Sequence, residues 1–244
     1  DELPKRLAVL GGGYIATELG NVFGMLGSEV TFIVRSDAML RNEDEAISTA
    51  FTEAYKQKFA TRFMSGVYSA RKDDDEIVLD LFPDHEELRV DAVLVATGRI
   101  PNADELQLAE HGYEVDDDGY LVTDAQRRTN VDGVFALGDI TNPVQLKHVA
   151  NHEARVVKHN LANPDSMIEV NHAFVPHAVF GHPQVASVGM TERQAVAAGV
   201  DYTCHVQHYA SAAYGWAMED TTSIVKLIMD SNTRLLLGAH ICGP

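Results

Sequence analysis

Three consecutive glycines, Gly11, Gly12 and Gly13, lie between an apolar run and a segment with helical spacing. With Ala16 they complete the pattern G-x-G-x-x-A, which is typical of dinucleotide-binding sites when it joins a strand to a helix. Gly11 permits a tight turn, Gly13 leaves room for a pyrophosphate, and Ala16 lets the helix pack closely on the strand. The free amides and positive end of that helix would face the phosphates. The pattern therefore predicts a dinucleotide site, and a purely structural turn is the alternative.

The end of the second strand indicates which dinucleotide would bind. A site for NAD usually places an aspartate or glutamate there, against the ribose hydroxyls, whereas this sequence has Val34, then Arg35, and soon afterwards Arg41. Two guanidinium groups can hold the 2′-phosphate of NADPH with charge-assisted hydrogen bonds. At about 1.5–3 kcal/mol per such bond, half of the combined value would favour NADPH over NADH by about tenfold to a hundredfold. The alternative is that both arginines are solvated loop residues.

The elements that must position these residues form a βαβ unit at the start of the chain. We expect a strand over 6–10, a helix over 14–26 that ends at Gly27, and a second strand over 29–35. The strands are almost wholly apolar, which is typical of a parallel sheet covered on both faces. A crossover helix over 44–59 and strands over 76–82 and 87–98 are expected to follow. The acidic runs at 73–76 and 116–118 are interpreted as solvated turns rather than ion sites.

The remaining sequence changes character twice. Short strands and turns are expected from about 102 to 163, and this stretch ends in a long helix over 146–161. From about 170 onward the sequence predicts a strand, a helix and further strands, which indicates a mostly antiparallel α+β domain. The last strands are expected over 201–209, 223–230 and 234–241. The predicted fold class is α/β, divided into segments 1–101, 102–170 and 171–244.

Composition excludes several classes of protein. The 244 residues carry 19 lysines and arginines against 36 aspartates and glutamates, a formal net charge of −17, so binding to nucleic acid or to an anionic membrane is not expected. No apolar run approaches the roughly 20 residues of a membrane span, and no secretory h-region opens the chain, which predicts a cytoplasmic protein. Cys204 and Cys242 fit neither a disulfide framework nor a CxxC motif, and we expect both to be buried or half-buried. Because the chain opens with Asp1 and stops just after a strand-like run, we expect it to be a segment of a longer protein.

Two further motifs, "VLVATGRIPN" (93–102) and "RRTNVDGVFALGDI" (127–140), follow the glycine turn. Together with it they closely resemble the flavoprotein pyridine nucleotide-disulfide oxidoreductases. The resemblance implies a Rossmann-like NADPH-binding domain over 1–101, a segment over 102–170 that completes an FAD-binding domain, and a partial dimerisation domain over 171–244. It also implies FAD and NADPH as cofactors and a homodimeric assembly.

The resemblance assigns cofactor roles position by position. Tyr14 would be the aromatic lid over the nicotinamide pocket, Glu18 would orient the nicotinamide amide, and Val67 would touch the adenine. At Gly98 the backbone would meet the cofactor, and Asp139 would bind the ribityl chain of FAD. The full predicted cofactor-binding set is Gly11, Gly12, Gly13, Tyr14, Ile15, Ala16, Glu18, Arg35, Arg41, Val67, Gly98, Asp139, Gln145, Leu146, Lys147 and His148.

The helix that begins near Lys147 has a physical reason to lie beside a flavin. In the resemblance, Gln145, Leu146, Lys147 and His148 lie under the pyrimidine edge of the ring. Amides at the start of that helix would face the atoms where negative charge gathers in the reduced ring. His148 and His152 are four residues apart, a spacing also seen in metal sites, but no acid or cysteine is evidently placed to complete a ligand set. We expect no metal and interpret them as packed or hydrogen-bonded helix residues.

The reaction of the family passes electrons from NADPH through FAD and a redox-active Cys-x4-Cys pair to a disulfide substrate. This sequence contains no such pair, so no catalytic residue is predicted within it and the segment alone is expected to be inactive. The stretches "LKHVANHEARVV" and "AYGWAMEDT" resemble the branch that reduces the disulfide of a low-molecular-weight thiol. The alternatives are a dihydrolipoamide dehydrogenase, which generally keeps an acid at the position of Val34, an NAD(P)H oxidase, and a non-catalytic nucleotide-binding protein.

Overall fold

The computed structural model describes residues 2–244 and divides the chain into two compact units. The first unit combines the N-terminal residues up to Gly98 with Pro176–Pro244, and the second comprises Arg99–Val175. The twelve strands of the described residues are β1 (Arg6–Leu10), β2 (Glu29–Val34), β3 (Ala60–Phe63), β4 (Gly66–Asp73), β5 (Glu76–Phe82), β6 (Glu86–Val90), β7 (Ala92–Val95), β8 (His177–Val179), β9 (Gln184–Gly189), β10 (Tyr202–His208), β11 (Ile224–Asp230) and β12 (Leu236–Gly243). Their α-helices are α1 (Tyr14–Met25), α2 (Glu45–Lys58), α3 (Lys147–Ala162), α4 (Glu192–Ala197) and α5 (Ala213–Ala217).

A four-stranded parallel sheet forms the centre of the first unit, in the order β3-β2-β1-β7. Alternate side chains of its strands enter two different cores. Val9 and Phe32 pack with α1 and α2 on one face, and Ala8 and Ile33 pack with an antiparallel sheet, β4-β5-β6, on the other. The expected α/β fold with a parallel sheet covered on both faces is confirmed.

Small residues let α1 approach this sheet closely. A Cβ on Gly20 would lie 2.4 Å from the ring of Phe32, and one on Gly24 would lie 2.5 Å from the ring of Phe59. The two rings meet edge to face at 5.4 Å between centroids. The first helix therefore packs against aromatic residues, and it ends where Gly27 adopts a φ of +107°.

The predicted strand over 87–98 is wrong as a single element, because the structure places its two halves in different sheets. β6 belongs to the antiparallel sheet and β7 to the parallel one. Asp91, between them, accepts hydrogen bonds from the backbone amide and the guanidinium of Arg6. The chain changes sheets at this carboxylate. Strands β3 and β4 were not predicted at all.

The two acidic runs form turns, as expected. Asp74 lies at the β4–β5 hairpin with a φ of 53°. In the second run the carboxylate of Asp116 accepts hydrogen bonds from the amides of Asp118 and Tyr120.

The C-terminal part of the first unit is a five-stranded antiparallel sheet in the order β10-β11-β12-β9-β8. Helix α4 begins with a capping box between Thr191 and Gln194. The α+β expectation for this part is confirmed. Cys242 is buried within β12, but Cys204 is exposed on β10, so the expectation of burial is wrong for Cys204 because side chains on both faces of this edge strand are exposed.

The second unit is built around α3. Its only strand-like pairings among the described residues are two isolated bridges, Val115 to Leu121 and Arg128 to Phe135, in place of the expected short strands. Glu153 of α3 is fully buried and pairs with Arg127. No helix in the described chain is both long enough and apolar enough to span a membrane.

Candidate functional site

An open groove of about 920 Å³ lies at the carboxyl ends of three parallel strands of the first unit. Strand β1 leads into the glycine turn, β2 leads into Arg35, and β7 leads into the backbone before Gly98. In open α/β sheets this edge is where ligands bind, because the loops after the strands converge there. Nine of the predicted site residues line the groove: Gly11, Gly12, Gly13, Tyr14, Ile15, Arg35, Arg41, Val67 and Gly98.

The glycine turn has the geometry that the sequence pattern predicts. Gly11 has a φ of +129°, and a Cβ there would lie 2.3 Å from the carbonyl oxygen of Ala96. A Cβ on Gly13 would meet no atom within 4 Å, so the space above this residue is open to a ligand. Helix α1 starts directly after Gly13 without a side-chain cap. Its first amides remain available to an anion.

The structure explains why position 12 is a glycine, which the sequence pattern did not reveal. A Cβ there would lie 2.8 Å from a methyl group of Val34. Val34, at the end of β2, thus packs directly against the glycine turn. The next residue in the chain, Arg35, is exposed beside the groove.

Arg35 and Arg41 are both exposed and both line the groove. Within the described chain neither guanidinium has a carboxylate at salt-bridge distance, whereas Arg6, Arg62 and Arg89 each pair with a glutamate or aspartate. In a chain with a net charge of −17, two unpaired arginines on one groove favour an anionic ligand there.

The loop over 36–44, which carries Arg41, is anchored on the groove. The amide of Leu40 donates to the carbonyl of Gly12 at 2.7 Å, and Leu40 adopts a φ of 50°. Met39 is fully buried, its amide donates to the hydroxyl of Thr52, and its carbonyl accepts from the hydroxyl of Ser48. The backbone before Arg41 is therefore fixed by both the glycine turn and α2.

Glu43, at the end of the same loop, also lines the groove and was missed by the sequence analysis. One carboxylate oxygen lies 2.7 Å from Nε2 of His177, and the other accepts from the hydroxyl of Ser187 at 2.6 Å. Burial opposes the charge of Glu43, but these hydrogen bonds outweigh it and hold the pKa of the carboxyl below its ordinary value. No local signal could reveal this residue, since its partners lie more than 130 residues away in the sequence.

Two predicted residues of this unit lie elsewhere. Ala16 is buried beneath the turn, where it would be 3.5 Å from a Cβ on Gly11, in keeping with a packing role. The carboxylate of Glu18 accepts a hydrogen bond from the amide of Phe180 at 2.9 Å. The nicotinamide role of Glu18 stays a prediction.

The other five predicted residues, Asp139, Gln145, Leu146, Lys147 and His148, belong to the second unit. Asp139 follows Gly138, which has a φ of +79°, and its carboxylate pairs with Arg99. The amide of Gly138 donates to the buried Glu153 at 2.6 Å, which fixes the turn that carries Asp139.

The start of α3 presents uncapped backbone amides. Leu146 is the N-cap and supplies no side-chain hydrogen bond, so the first amides of the helix lack a side-chain acceptor. His152 accepts a hydrogen bond from the amide of Asn171, which agrees with its interpretation as a hydrogen-bonded helix residue. Among residues 2–244, no group of three or more His, Cys, Asp and Glu side chains is arranged to hold a metal ion.

Comparisons with known proteins place these features in context. The family model described as pyridine nucleotide-disulphide oxidoreductase matches residues 1–154, and the dimerisation-domain model of the same family matches residues 175–244. Mycothione reductase of Mycobacterium tuberculosis is 46% identical over 99% of this chain and 53% of its own length. Dihydrolipoyl dehydrogenase of Bacillus subtilis is 33% identical over 99% of this chain and 52% of its own length.

The fold is also similar to that of a solved flavoprotein disulfide reductase. The HOCl-induced flavoprotein disulfide reductase RclA of Escherichia coli superposes with a TM-score of 0.87 at 29% identity, over 99% of this chain and 55% of the other. The predicted cofactors, FAD with a pyridine nucleotide, agree with these descriptions. The chain spans about half the length of the relatives that it matches.

Proposed function

The chain belongs to the pyridine nucleotide-disulphide oxidoreductase family, and we propose that it carries the NADPH-binding site and part of the FAD-binding site of a disulfide reductase. The observation that carries this proposal is the groove at the carboxyl ends of β1, β2 and β7. It combines an open glycine turn at a helix N-terminus with two arginines that have no carboxylate partner among the described residues. Those are the features needed to hold a pyrophosphate and an additional phosphate.

Each end of the nucleotide has a proposed partner in the groove. The backbone at Gly13 and the first amides of α1 bind the pyrophosphate, and Arg35 and Arg41 bind the 2′-phosphate. Val67 contacts the adenine. Tyr14, which is 39% exposed at the groove, covers the nicotinamide pocket and moves aside when the nucleotide enters. Gly98 brings the backbone to the cofactor, and Glu18 orients the nicotinamide amide.

The second unit supplies the proposed FAD contacts. Bound FAD would pass electrons from the nicotinamide to a disulfide. Asp139 binds its ribityl chain, and the residues from Gln145 to His148 lie along the pyrimidine edge. The uncapped amides at the start of α3 stabilise negative charge at that edge. The buried Glu153 keeps the Asp139 turn in place through the amide of Gly138.

The proposed division of labour follows segments 1–101, 102–170 and 171–244, for NADPH binding, completion of the FAD site and dimerisation. The redox-active cysteine pair is supplied from outside this chain, so the segment alone is inactive. We propose a cytoplasmic homodimer that reduces a small disulfide, with no nucleic-acid or membrane partner. The proposed substrate is mycothione, because the relative with that activity in its name is 46% identical, against 33% for the dihydrolipoyl dehydrogenase.

Nucleotide preference tests the central assignment. In the full-length enzyme, Arg35→Ala together with Arg41→Ala should lower kcat/KM for NADPH by about tenfold to a hundredfold. NADH has no 2′-phosphate, so its kcat/KM should change by less than about threefold. Arg155→Ala is the matched control, because Arg155 is exposed on α3 and also has no carboxylate partner in the described chain. Equal losses for both nucleotides would remove the phosphate role.

Substrate preference is tested separately on the same enzyme. Steady-state turnover with mycothione, lipoamide and glutathione disulfide as acceptors should give the highest kcat/KM for mycothione. A higher value for lipoamide would identify a dihydrolipoamide dehydrogenase instead. Oxygen consumption without any disulfide acceptor would indicate an oxidase.

A further inference from the structure

The loop over 36–44 is held from the C-terminal antiparallel sheet as well as from the glycine turn. Arg193 of α4 donates from its guanidinium to the carbonyl of Arg41 at 3.0 Å. Glu43 is bound by His177 of β8 and Ser187 of β9. These contacts join residues that are 134 to 152 positions apart in the sequence, within one compact unit.

A second anchor follows immediately. Asp44 caps α2 by accepting from the amide of Ala46, and its other oxygen accepts from the amide of Glu192 at 2.9 Å. Lys226 of β11 donates to Asp44 at 2.8 Å and also pairs with Glu192. Asp44 is fully buried, Lys226 is 3% exposed and Glu43 is 9% exposed. Buried charge-assisted hydrogen bonds of this kind hold their groups far more tightly than exposed ones do.

Both ends of a two-residue exposed segment are thereby fixed. Met39 and Leu40 are buried on one side, Glu43 and Asp44 are buried on the other, and Arg41 and Asn42 alone are exposed between them. Because the segment is anchored at both ends, its backbone loses little conformational entropy when Arg41 binds a phosphate. Loosening either anchor would raise that cost.

We propose that Glu43 and Asp44, gripped by the C-terminal sheet, are positioning residues that set nucleotide selectivity through Arg41. The inference rests on the proposed function, because it takes phosphate binding by Arg41 as its premise. The nucleotide favoured by this selectivity bears a phosphate on its adenosine ribose. A nucleotide without that phosphate makes no use of Arg41, so its affinity is independent of the anchors. Part of the cofactor preference is thus built from β8, β9, α4 and β11, outside the nucleotide-binding sheet.

Ser187→Ala is the cleanest perturbation of the first anchor. It removes the hydroxyl that donates to Glu43 and leaves every formal charge unchanged, whereas a substitution of Glu43 would also remove a negative charge from the groove. Ser223→Ala is the matched control. Ser223 is also 4% exposed, lies in the same unit, and donates to the carboxylate of Asp220 at the same distance of 2.6 Å, and no described hydrogen bond joins it to the loop over 36–44.

The measurement is an equilibrium titration of the oxidised, FAD-loaded full-length protein with NADP⁺ and with NAD⁺, neither of which reduces the flavin. Ser187→Ala should raise Kd for NADP⁺ by about threefold to tenfold and leave Kd for NAD⁺ within about twofold. Ser223→Ala should leave the ratio of the two constants unchanged. In an Arg41→Ala background, Ser187→Ala should change Kd for NADP⁺ by less than about twofold, because residues that act through one group are not additive.

The outcomes separate this inference from its premise. Equal changes in both constants with Ser187→Ala, or no change in either, would overturn the positioning role even when Arg41→Ala abolishes selectivity. Full additivity of Ser187→Ala and Arg41→Ala would overturn it as well. An unchanged selectivity in Arg41→Ala itself would instead defeat the phosphate assignment of the proposed function. Thermal unfolding of each variant checks that the protein is folded at the temperature of the titration.

Discussion

Removal of the buried ammonium of Lys226 should strongly destabilise the first unit. Lys226 is 3% exposed and pairs with Asp44, which is fully buried. In Lys226→Met the side chain keeps a similar size, but the carboxylate of Asp44 loses its only charged partner among the described residues. Removing one partner of a buried ion pair costs about 3–5 kcal/mol, because the remaining charge stays desolvated.

The structure favours the lower end of this range. Asp44 keeps two hydrogen bonds from backbone amides, those of Ala46 at 3.1 Å and Glu192 at 2.9 Å. Glu192, the second partner of Lys226, has a side chain that is 36% exposed and regains contact with water. We therefore expect a loss of about 3 kcal/mol. For a protein as long as the matched relatives, about twice the length of this chain, the shift is about 1–2 °C per kcal/mol, so Tm should fall by about 3–6 °C.

Scanning calorimetry of the full-length protein measures the change in Tm, and urea denaturation measures the change in the free energy of unfolding. The double variant Lys226→Met with Asp44→Asn should recover part of the loss, since the asparagine carries no charge to leave unpaired and its Oδ1 can still cap α2, while its Nδ2 no longer accepts from the amide of Glu192. Lys158→Met is a surface control, because Lys158 is exposed on α3 and should change stability by less than about 0.5 kcal/mol. A loss below about 1 kcal/mol in Lys226→Met, or a double variant less stable than the single one, would refute the reasoning.

The remaining predictions concern pH and the glycine turn. Burial opposes ionisation of Asp44, but hydrogen bonds from the amide of Glu192 and from Lys226 hold its pKa below the ordinary value of 3.8. A carboxyl whose pKa is lowered by folding stabilises the folded protein at pH values above its ordinary pKa, and this stability is lost as the pH falls through the folded-state pKa. The Tm should therefore drop below about pH 4, and it should drop less in Asp44→Asn. Calorimetry from about pH 5 to about pH 3 would measure both changes. Gly11→Ala forces a Cβ to 2.3 Å from a carbonyl oxygen at a positive φ and should cost at least about 3 kcal/mol in urea denaturation. Gly13→Ala meets no atom within 4 Å, so it should unfold like the parent protein and lose about tenfold in NADP⁺ affinity in the same titration; normal affinity would mean that no phosphate approaches Gly13.

Local patterns predicted the first βαβ unit well because each element carries its own signals. The apolar strand β1, the glycine turn and the helix that ends before Gly27 are each specified by neighbours in sequence. The strand expected over 87–98 shows the limit of this reasoning. Its apolar residues continue through Asp91, and the division between β6 and β7 depends on Arg6, 85 positions away. Strands β3 and β4 were missed for a related reason, since their exposed and mixed residues show little alternation.

The sequence by itself determined the chemistry available at the groove: glycines where a backbone must turn and stay open, Val34 in place of an acid at the end of β2, and arginines soon after it. These depend on residue type and on spacing over a few positions, and local backbone preferences suffice to specify them. Only the tertiary structure decided how the arginine loop is held. Glu43 meets His177 and Ser187, and Asp44 meets Lys226, across 134 to 182 positions of sequence. Such pairs form because strands and helices from distant segments become neighbours, and no local propensity encodes which distant side chain will satisfy a buried carboxylate.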